Sequence, residues 1–342
     1  MADILKKTGL CIALALAGAA IASAQTVTLK VHHFLPSGSN AHQNLISPWC
    51  DKIERESGGE LKCQIYPAMQ LGGTPPQLLD QARDGVADIV WSVPTYSAGR
   101  YVKTEVFELP FMVANARQGS QALWEYTQRF SLDEFKGVKP IFMHTTESYV
   151  LHSNRPVRTM ADLKGMKIRT ATRISAKMMA ALGGTPVQMP MPQVPDAISK
   201  GVVDGVLVPW EAIPATKLHE IVKYHLDAPP GSPRFVSAIF MFGMNQARYD
   251  GLTPKQKKVI DDNSGLAASA WAGGVFDSII GPYSKLARDR GNTIDVIGAE
   301  ELKKWEAATA HIDDDWIKDV SAKGADGRKL AAEARALLEK YK

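Results

Sequence analysis

A strand, helix, strand, helix, strand alternation opens the chain after residue 25, and it restricts the fold more than any other feature. VTLKVHHF, starting at Val27, alternates as a half-buried strand does. The polar stretch LPSGSNAH leads to a helix expected over Pro48–Glu56, and LKCQIYP is the next strand. A second helix is expected over Pro75–Asp84, with proline in its first turn and Gly85 beyond its end. ADIVWSV, held between Gly85 and Pro94, then reads as a buried strand. Strands joined through helices pair in parallel, because antiparallel neighbours need no such crossover.

The same grammar returns later. LGGTPPQ at 71–77 matches LGGTPVQ at 182–188, and GVADIVWSVP at 85–94 matches GVVDGVLVPW at 201–210. Two matches in one order predict two lobes of related α/β design, with chance likeness of βαβ units as the alternative. A chain of 342 residues is also longer than one core usually serves. The segments 138–157 and 235–245 are apolar strands suited to cross between lobes, and from Leu252 onward the pattern is helical, with two helices over 299–342. The expected fold class is α/β: a two-lobed hinged clamshell, each lobe a mostly parallel sheet flanked by helices, with long C-terminal helices spanning the lobes. Lobe I takes 25–150 with roughly 235–275 returning to it; lobe II takes 151–234, and roughly 276–342 packs across both.

Residues 1–24 read as a secretory signal peptide: a basic start at Lys6 and Lys7, an apolar run from Gly9 to Ile21, and Ala22-Ser23-Ala24 before the cut. An exported, periplasmic chain follows. Cys50 and Cys63 then remain, an even count that favours a disulfide over two free thiols. Two cysteines without a nearby histidine pair fall short of a metal ligand set. The net charge of +4 without any basic block excludes nucleic acid as a natural partner.

Enzyme motifs are absent: no HExxH, GxSxG, GxGxxG or Walker A loop. No cofactor and no metal are expected. His32 and His33 are neighbours on a strand and point to opposite faces, so at most one reaches a cleft, and His33 is the candidate. Arg169 ends a second-lobe strand at the carboxyl edge, where α/β sheets bind ligands, and its fork of donors suits a carboxylate. Arg173 reads as a helix-start or rim residue. Trp91, Trp210, Glu211, Phe34 and Tyr149 sit at comparable strand ends and are candidate lining residues, with Glu147 as a further polar contact. Phe240 and Phe242 read as core, and Asp88 and Asp204 as solvated turn residues.

The stretches IYPAMQLGG, DGVADIVW, FELPFM, LKGMKIRTATRISAKMMAALGGTPVQMP and GVVDGVLVP, in that order, carry a resemblance. The chain resembles the DctP-type periplasmic solute-binding proteins of TRAP transporters over essentially all of its length beyond residue 24. The resemblance implies the periplasmic-binding-protein clamshell, and it gives Arg169 the role of pairing with the carboxylate of an organic acid. Relatives that bind sialic acid carry a second arginine where this chain has Tyr149, and an asparagine where it has Val208. That argues for a smaller or less polar ligand, an aromatic or branched monocarboxylate. Keto-acid relatives use a tryptophan, a glutamate and a cation; Trp210-Glu211 stands in a different order, so no cation is assigned. A long helix spanning both lobes falls on Leu252–Arg290. Implied partners are the small and large membrane subunits of the transporter, with the binding protein a monomer and not an enzyme. An exported enzyme or a sensory binding protein on the same fold is the alternative.

Overall fold

A computed structural model describes residues 26–147 and 149–342, so the signal-peptide reading for 1–24 lies outside the described residues. The first lobe is built on β1 (Val27–His33), β2 (Leu61–Tyr66), β3 (Ile89–Ser92), β4 (Val138–Thr145) and β10 (Ile239–Asn245), in the order β2-β1-β3-β10-β4. The second lobe holds β5 (Val150–Ser153), β6 (Lys167–Thr170), β7 (Thr185–Gln188), β8 (Gly205–Val208), β9 (Tyr224–Asp227) and β11 (Thr293–Val296). Their order is β11-β9-β5-β8-β6-β7. Both sheets are mixed. The strands of the repeated grammar pair in parallel, β1 with β2 and β3, β6 with β7 and β8. The antiparallel partners are strands next to the crossings: β10 lies between β3 and β4, and β5 between β8 and β9.

One of the two sequence matches is structural. Asp88 donates its N–H to Lys30 O at 2.9 Å and accepts the Lys30 N–H on its carboxylate at 2.8 Å. Asp204 does the same with Lys167, at 2.7 and 2.8 Å. Each GVxD turn thus clamps the start of its strand to the central strand, which makes Lys30 the counterpart of Lys167. The two aspartates are strand clamps rather than solvated turn residues, because the turn brings the carboxylate back onto a backbone N–H.

The other match is not structural. The first LGGTP follows β2 and opens the 3₁₀ turn Pro75–Gln77; the second ends helix Arg173–Ala181 and runs into β7. Pro75 fits a first helical turn, and Pro186 fits β7 because β7 is an edge strand. The true counterparts of Gly183-Gly184 before β7 are Gly58-Gly59 before β2. Gly58, at φ 68°, closes helix α1 (Ser47–Ser57). That reversal sets Cys50 on α1 beside Cys63 on β2, Cα to Cα 5.7 Å, in a disulfide.

Further helices join the lobes. Helix α2 (Ala116–Tyr126) lies on lobe I, and α3 (Arg173–Ala181) on lobe II. Helix α4 (Gly265–Ser278) packs on α2 and β4, so closely that a Cβ on Gly273 would stand 2.4 Å from Ala116 O. Asp277 caps α2, its carboxylate accepting the N–H groups of Ala116 and Arg117 at 2.7 and 2.8 Å. After a break at Ile279, α5 (Ile280–Asp289) packs on lobe II, against helix Ala212–Thr216 and β11. The chain therefore crosses a third time, through a helix pair. Three helices follow where two were expected: α6 (Ala299–Thr309) and α7 (His311–Ser321) on α3, then α8 (Gly327–Lys340) back on α2. The extra break falls at Ala310, where nothing in the local pattern marks a stop. Among the described residues no helix is long and apolar enough to cross a membrane.

Candidate ligand site

The carboxyl ends of β1 and β3 meet those of β6 and β8 around a void of about 440 Å³, counting its open mouth. Its first-lobe wall is aromatic. Phe34 lies against Trp91 with ring centroids 5.1 Å apart at 24°, and Trp91 against Phe240 at 4.4 Å and 17°. Trp91 is locked, its Nε1–H donating to His144 Nε2 at 2.9 Å while His144 Nδ1–H donates to Thr145 O at 3.1 Å. Burial holds His144 neutral, its pKa lowered to about 3. The result is a rigid flat platform.

Arg169 supplies the charge. Its side chain is 1% exposed. Nε and Nη2 donate to Met189 O at 2.9 and 2.7 Å, and Nη1 donates to Leu207 O at 3.3 Å. Three of the five guanidinium N–H groups are thus spent on backbone carbonyls, and the other two are free of backbone partners, with the Tyr96 hydroxyl in reach. Among the described residues no carboxylate lies within ion-pair distance of it. A buried cation without a counter-ion is costly, so this arrangement favours an anion arriving from outside. Tyr96 and Tyr149 stand close enough for the Arg169 charge to act on their hydroxyls, although burial is the larger influence and raises both. The Tyr96 hydroxyl also accepts the N–H of Met191 at 3.3 Å, joining the lobes across the void.

Among the described residues lining the void, Glu211 supplies the carboxylate, and it is 5% exposed. Its own N–H donates to Glu147 Oε1 at 2.8 Å. Burial raises its pKa to about 7, with the Ala41 N–H of lobe I pulling the other way. Glu147 is pushed up by burial first and by Glu211 second. Among the described residues no group of three His, Cys, Asp or Glu side chains is placed to hold a metal ion.

Five of the residues singled out by sequence therefore line one void: Arg169, Glu211, Trp91, Phe34 and Tyr149. Three do not. Trp210 is fully buried on the other side of its turn, donating Nε1–H to Asp227 at 2.9 Å and packing on His152 and His225. Trp210 and Glu211 turn to opposite sides beyond β8, and it is Glu211 that lines the void. His33 faces away too, its Nε2 paired with His42 Nδ1 at 2.9 Å and its ring edge-on to Trp91. Glu147 supports the Glu211 backbone without lining the void. Sequence reasoning missed Tyr96 and Met191 and placed Phe240 in the core, while Val208, noted only as the counterpart of an asparagine in relatives, also lines the void. Tyr96 had a signal, since it follows Pro94 just past the end of β3. Phe240 had none, because β10 is apolar throughout.

Arg173 is more than a rim residue. Its Nη2 and Nε donate to Glu105 at 2.5 and 3.1 Å, and its Nη1 to Asp319 at 2.5 Å. Glu105 is 1% exposed, so this pair ties α3 of lobe II to the segment Thr104–Glu108 and to α7. Partners so far away in the chain leave no trace in local sequence.

Comparison with known proteins agrees with this architecture. The family model for bacterial extracellular solute-binding protein family 7, DctP, matches residues 31–319. A TRAP solute-binding protein from Rhodoferax ferrireducens, solved with copurified benzoate, is 44% identical with a TM-score of 0.91, covering 92% of this chain and 98% of that one. A marine-metagenome TRAP solute-binding protein specific for aromatic acid ligands, solved with 3-hydroxybenzoate, is also 44% identical at TM-score 0.91, covering 93% and 99%. The C4-dicarboxylate-binding periplasmic protein DctP of Rhodobacter capsulatus is 23% identical over 331 residues, 93% of this chain and 95% of that protein. A two-lobed α/β frame, a wall-lined void at the strand ends and a family match across the lobes lead to one conclusion: the chain belongs to the DctP family of TRAP-transporter solute-binding proteins, and it is a binding protein rather than an enzyme.

Proposed function

We propose that the protein captures an aromatic monocarboxylate between its lobes and delivers it to the membrane subunits of a TRAP transporter. The observation that carries this is Arg169: a buried guanidinium with spare donors and no internal counter-ion, opening onto stacked aromatic rings. The ligand carboxylate pairs with Arg169, within reach of the Tyr96 and Tyr149 hydroxyls, and the ring lies along Phe34, Trp91 and Phe240. A single arginine on the wall suits one carboxylate, and the apolar platform disfavours a polar chain. The 44% identical relatives solved with benzoate and 3-hydroxybenzoate support the ligand class.

Binding closes the cleft because the ligand touches both lobes at once, and only the closed form offers it both walls. The moving bodies are 25–150 with 235–275, and 151–234, with the C-terminal helices packed across them. Residues 1–24 direct export and are then cleaved, and the mature chain works in the periplasm as a monomer.

A thermal-shift panel tests the reading, using mature protein dialysed free of ligand with benzoate, 3-hydroxybenzoate, cyclohexanecarboxylate and succinate. A ligand that binds only the folded state raises Tm by mass action. Benzoates should raise it most in the wild type and not at all in a folded Arg169→Ala variant. Stabilisation by succinate alone, or equal stabilisation of both proteins by benzoates, would overturn the assignment.

A further inference from the structure

We propose that Glu211 reads a hydroxyl group on the ring of the bound acid, making a phenolic acid the preferred ligand of the site. This rests on the aromatic-carboxylate reading above and narrows it. Three observations carry it. The Glu211 side chain is 5% exposed and lines the void, and among the described residues its Oε1 has no hydrogen-bond partner. Buried carboxyl oxygens are rarely left without a donor, so an orphan on a ligand wall marks a place where the ligand brings one. Among the described residues no lysine, arginine or histidine pairs with Glu211, so none of them claims that oxygen.

The second observation is separation. The Arg169 charge acts on Tyr96 and Tyr149, whereas the Glu211 charge acts on Glu147 and Tyr283. The two charged wall groups thus stand in different surroundings of one void. A molecule that meets both needs an anionic group for Arg169 and a donor for Glu211. On an aromatic platform, a ring hydroxyl is the simplest donor that adds no charge.

The third is protonation. Burial raises the Glu211 pKa to about 7, against the pull of the Ala41 N–H, so the group lies close to its midpoint at neutral pH. A carboxyl near its midpoint hydrogen-bonds a neutral hydroxyl in either form, accepting from it when ionised and donating to it when protonated. The Ala41 N–H of lobe I also reaches Glu211, so the same residue joins the lobe-closing contacts.

The test is calorimetric titration of ligand-free wild type, Glu211→Gln and Glu211→Leu with benzoate, 3-hydroxybenzoate, 4-hydroxybenzoate, 3-methoxybenzoate and phenylalanine, with melting curves to show that each variant folds. In the wild type one hydroxybenzoate should bind at least tenfold tighter than benzoate, and the methoxy analogue should lose that gain. Glu211→Leu should bring the ratio to within threefold of one, and Glu211→Gln should keep part of it. An unchanged ratio in Glu211→Leu, or a methoxy analogue as tight as the hydroxyl, would overturn the proposal. So would phenylalanine binding tighter than any benzoate, which would assign Glu211 to a cationic group. Equal wild-type affinity for all benzoates defeats this inference alone; no affinity for any benzoate defeats the ligand class as well.

Discussion

His32 and Arg169 hold the same place in the two lobes, two residues beyond the clamped lysine on the central strand, and they do related work. Each ties its strand to the loop that follows the edge strand. His32 donates Nδ1–H to Gln81 Oε1 at 2.8 Å and accepts the Leu71 N–H on Nε2 at 3.3 Å. Arg169 donates to Met189 O. The difference is what remains. An imidazole with both nitrogens engaged is saturated, and burial keeps it neutral. A guanidinium that has tied its loop still carries a charge and spare donors. A scaffold tie became a ligand anchor by surplus, not by a new position.

The sharpest way to break that comparison is to truncate both. Arg169→Ala should cost a hundredfold or more in aromatic-acid affinity, about 3 kcal/mol, within the range for losing one partner of a buried charge pair. His32→Ala should change affinity less than about threefold by calorimetry. A comparable binding loss in both would show that the loops, not the donors, make the site.

The two second-lobe arginines offer a second contrast. Arg173→Ala leaves Glu105 buried without its partner and should lower unfolding free energy by about 3 kcal/mol in urea, the low end for such pairs because Arg173 is 21% exposed. Glu105→Gln should cost less, since burial already raises the Glu105 pKa against the pull of Arg173. If Arg173→Ala instead leaves stability intact and abolishes binding, the division of labour between Arg169 and Arg173 fails.

The GVxD clamps sharpen the comparison further. Asp88 also pairs with Arg248 at 3.2 Å, while among the described residues the Asp204 carboxylate has the strand N–H alone. Asp88→Ala should therefore cost about 2 kcal/mol and Asp204→Ala about 1 kcal/mol, read from urea midpoints.

Acidity separates the lobe II interior from the segment beside the cleft. His152 and His225 share one Nδ1-to-Nδ1 hydrogen bond of 2.6 Å, with Asn292 donating to His225 Nε2 and His152 Nε2–H donating to Val208 O. Burial lowers His225 to about 4 from 6.5, so its contribution is complete above pH 6.5 and is lost as pH falls toward 4. Glu108 runs the other way: burial raises it to about 8 from 4.5, so its contribution is complete below pH 4.5 and is lost as pH rises through 8. Unfolding titrations should show His225→Phe flattening the rise in stability between pH 4 and 6.5, and Glu108→Gln flattening the opposite slope between pH 4.5 and 8. Each change is about 1 kcal/mol per pH unit inside its window.

Much of this was legible from residues alone. Although the lysine N–H that each aspartate clamps lies on another strand, 58 and 37 residues away, the period of two in VTLKVHHF, the helix signals around Pro75 and Gly85, and the recurrence of the GVxD turn before a strand are local. Arg169 was legible for the same reason, standing at the carboxyl end of a short strand. The site's aromatic wall was only half visible. Phe34 and Trp91 stand where strands end, but β10 is apolar on both faces, so nothing in its sequence says that Phe240 borders a void.

What the sequence by itself determined is the alternation of strands and helices, the recurrence of the GVxD turn in both lobes and a cation at the strand edge, all set by pattern or by contacts within a few residues. Tertiary structure alone decided that identical LGGTP segments fold as a helix start and an edge strand, that Trp210 turns inward while Glu211 lines the void, and that Arg173 finds Glu105 and Asp319. Those outcomes depend on which surface arrives from a distant part of the chain. Alternation tells which side of a strand a residue takes, but at a strand's end the side is set by the loop beyond it and by the lobe that closes over it.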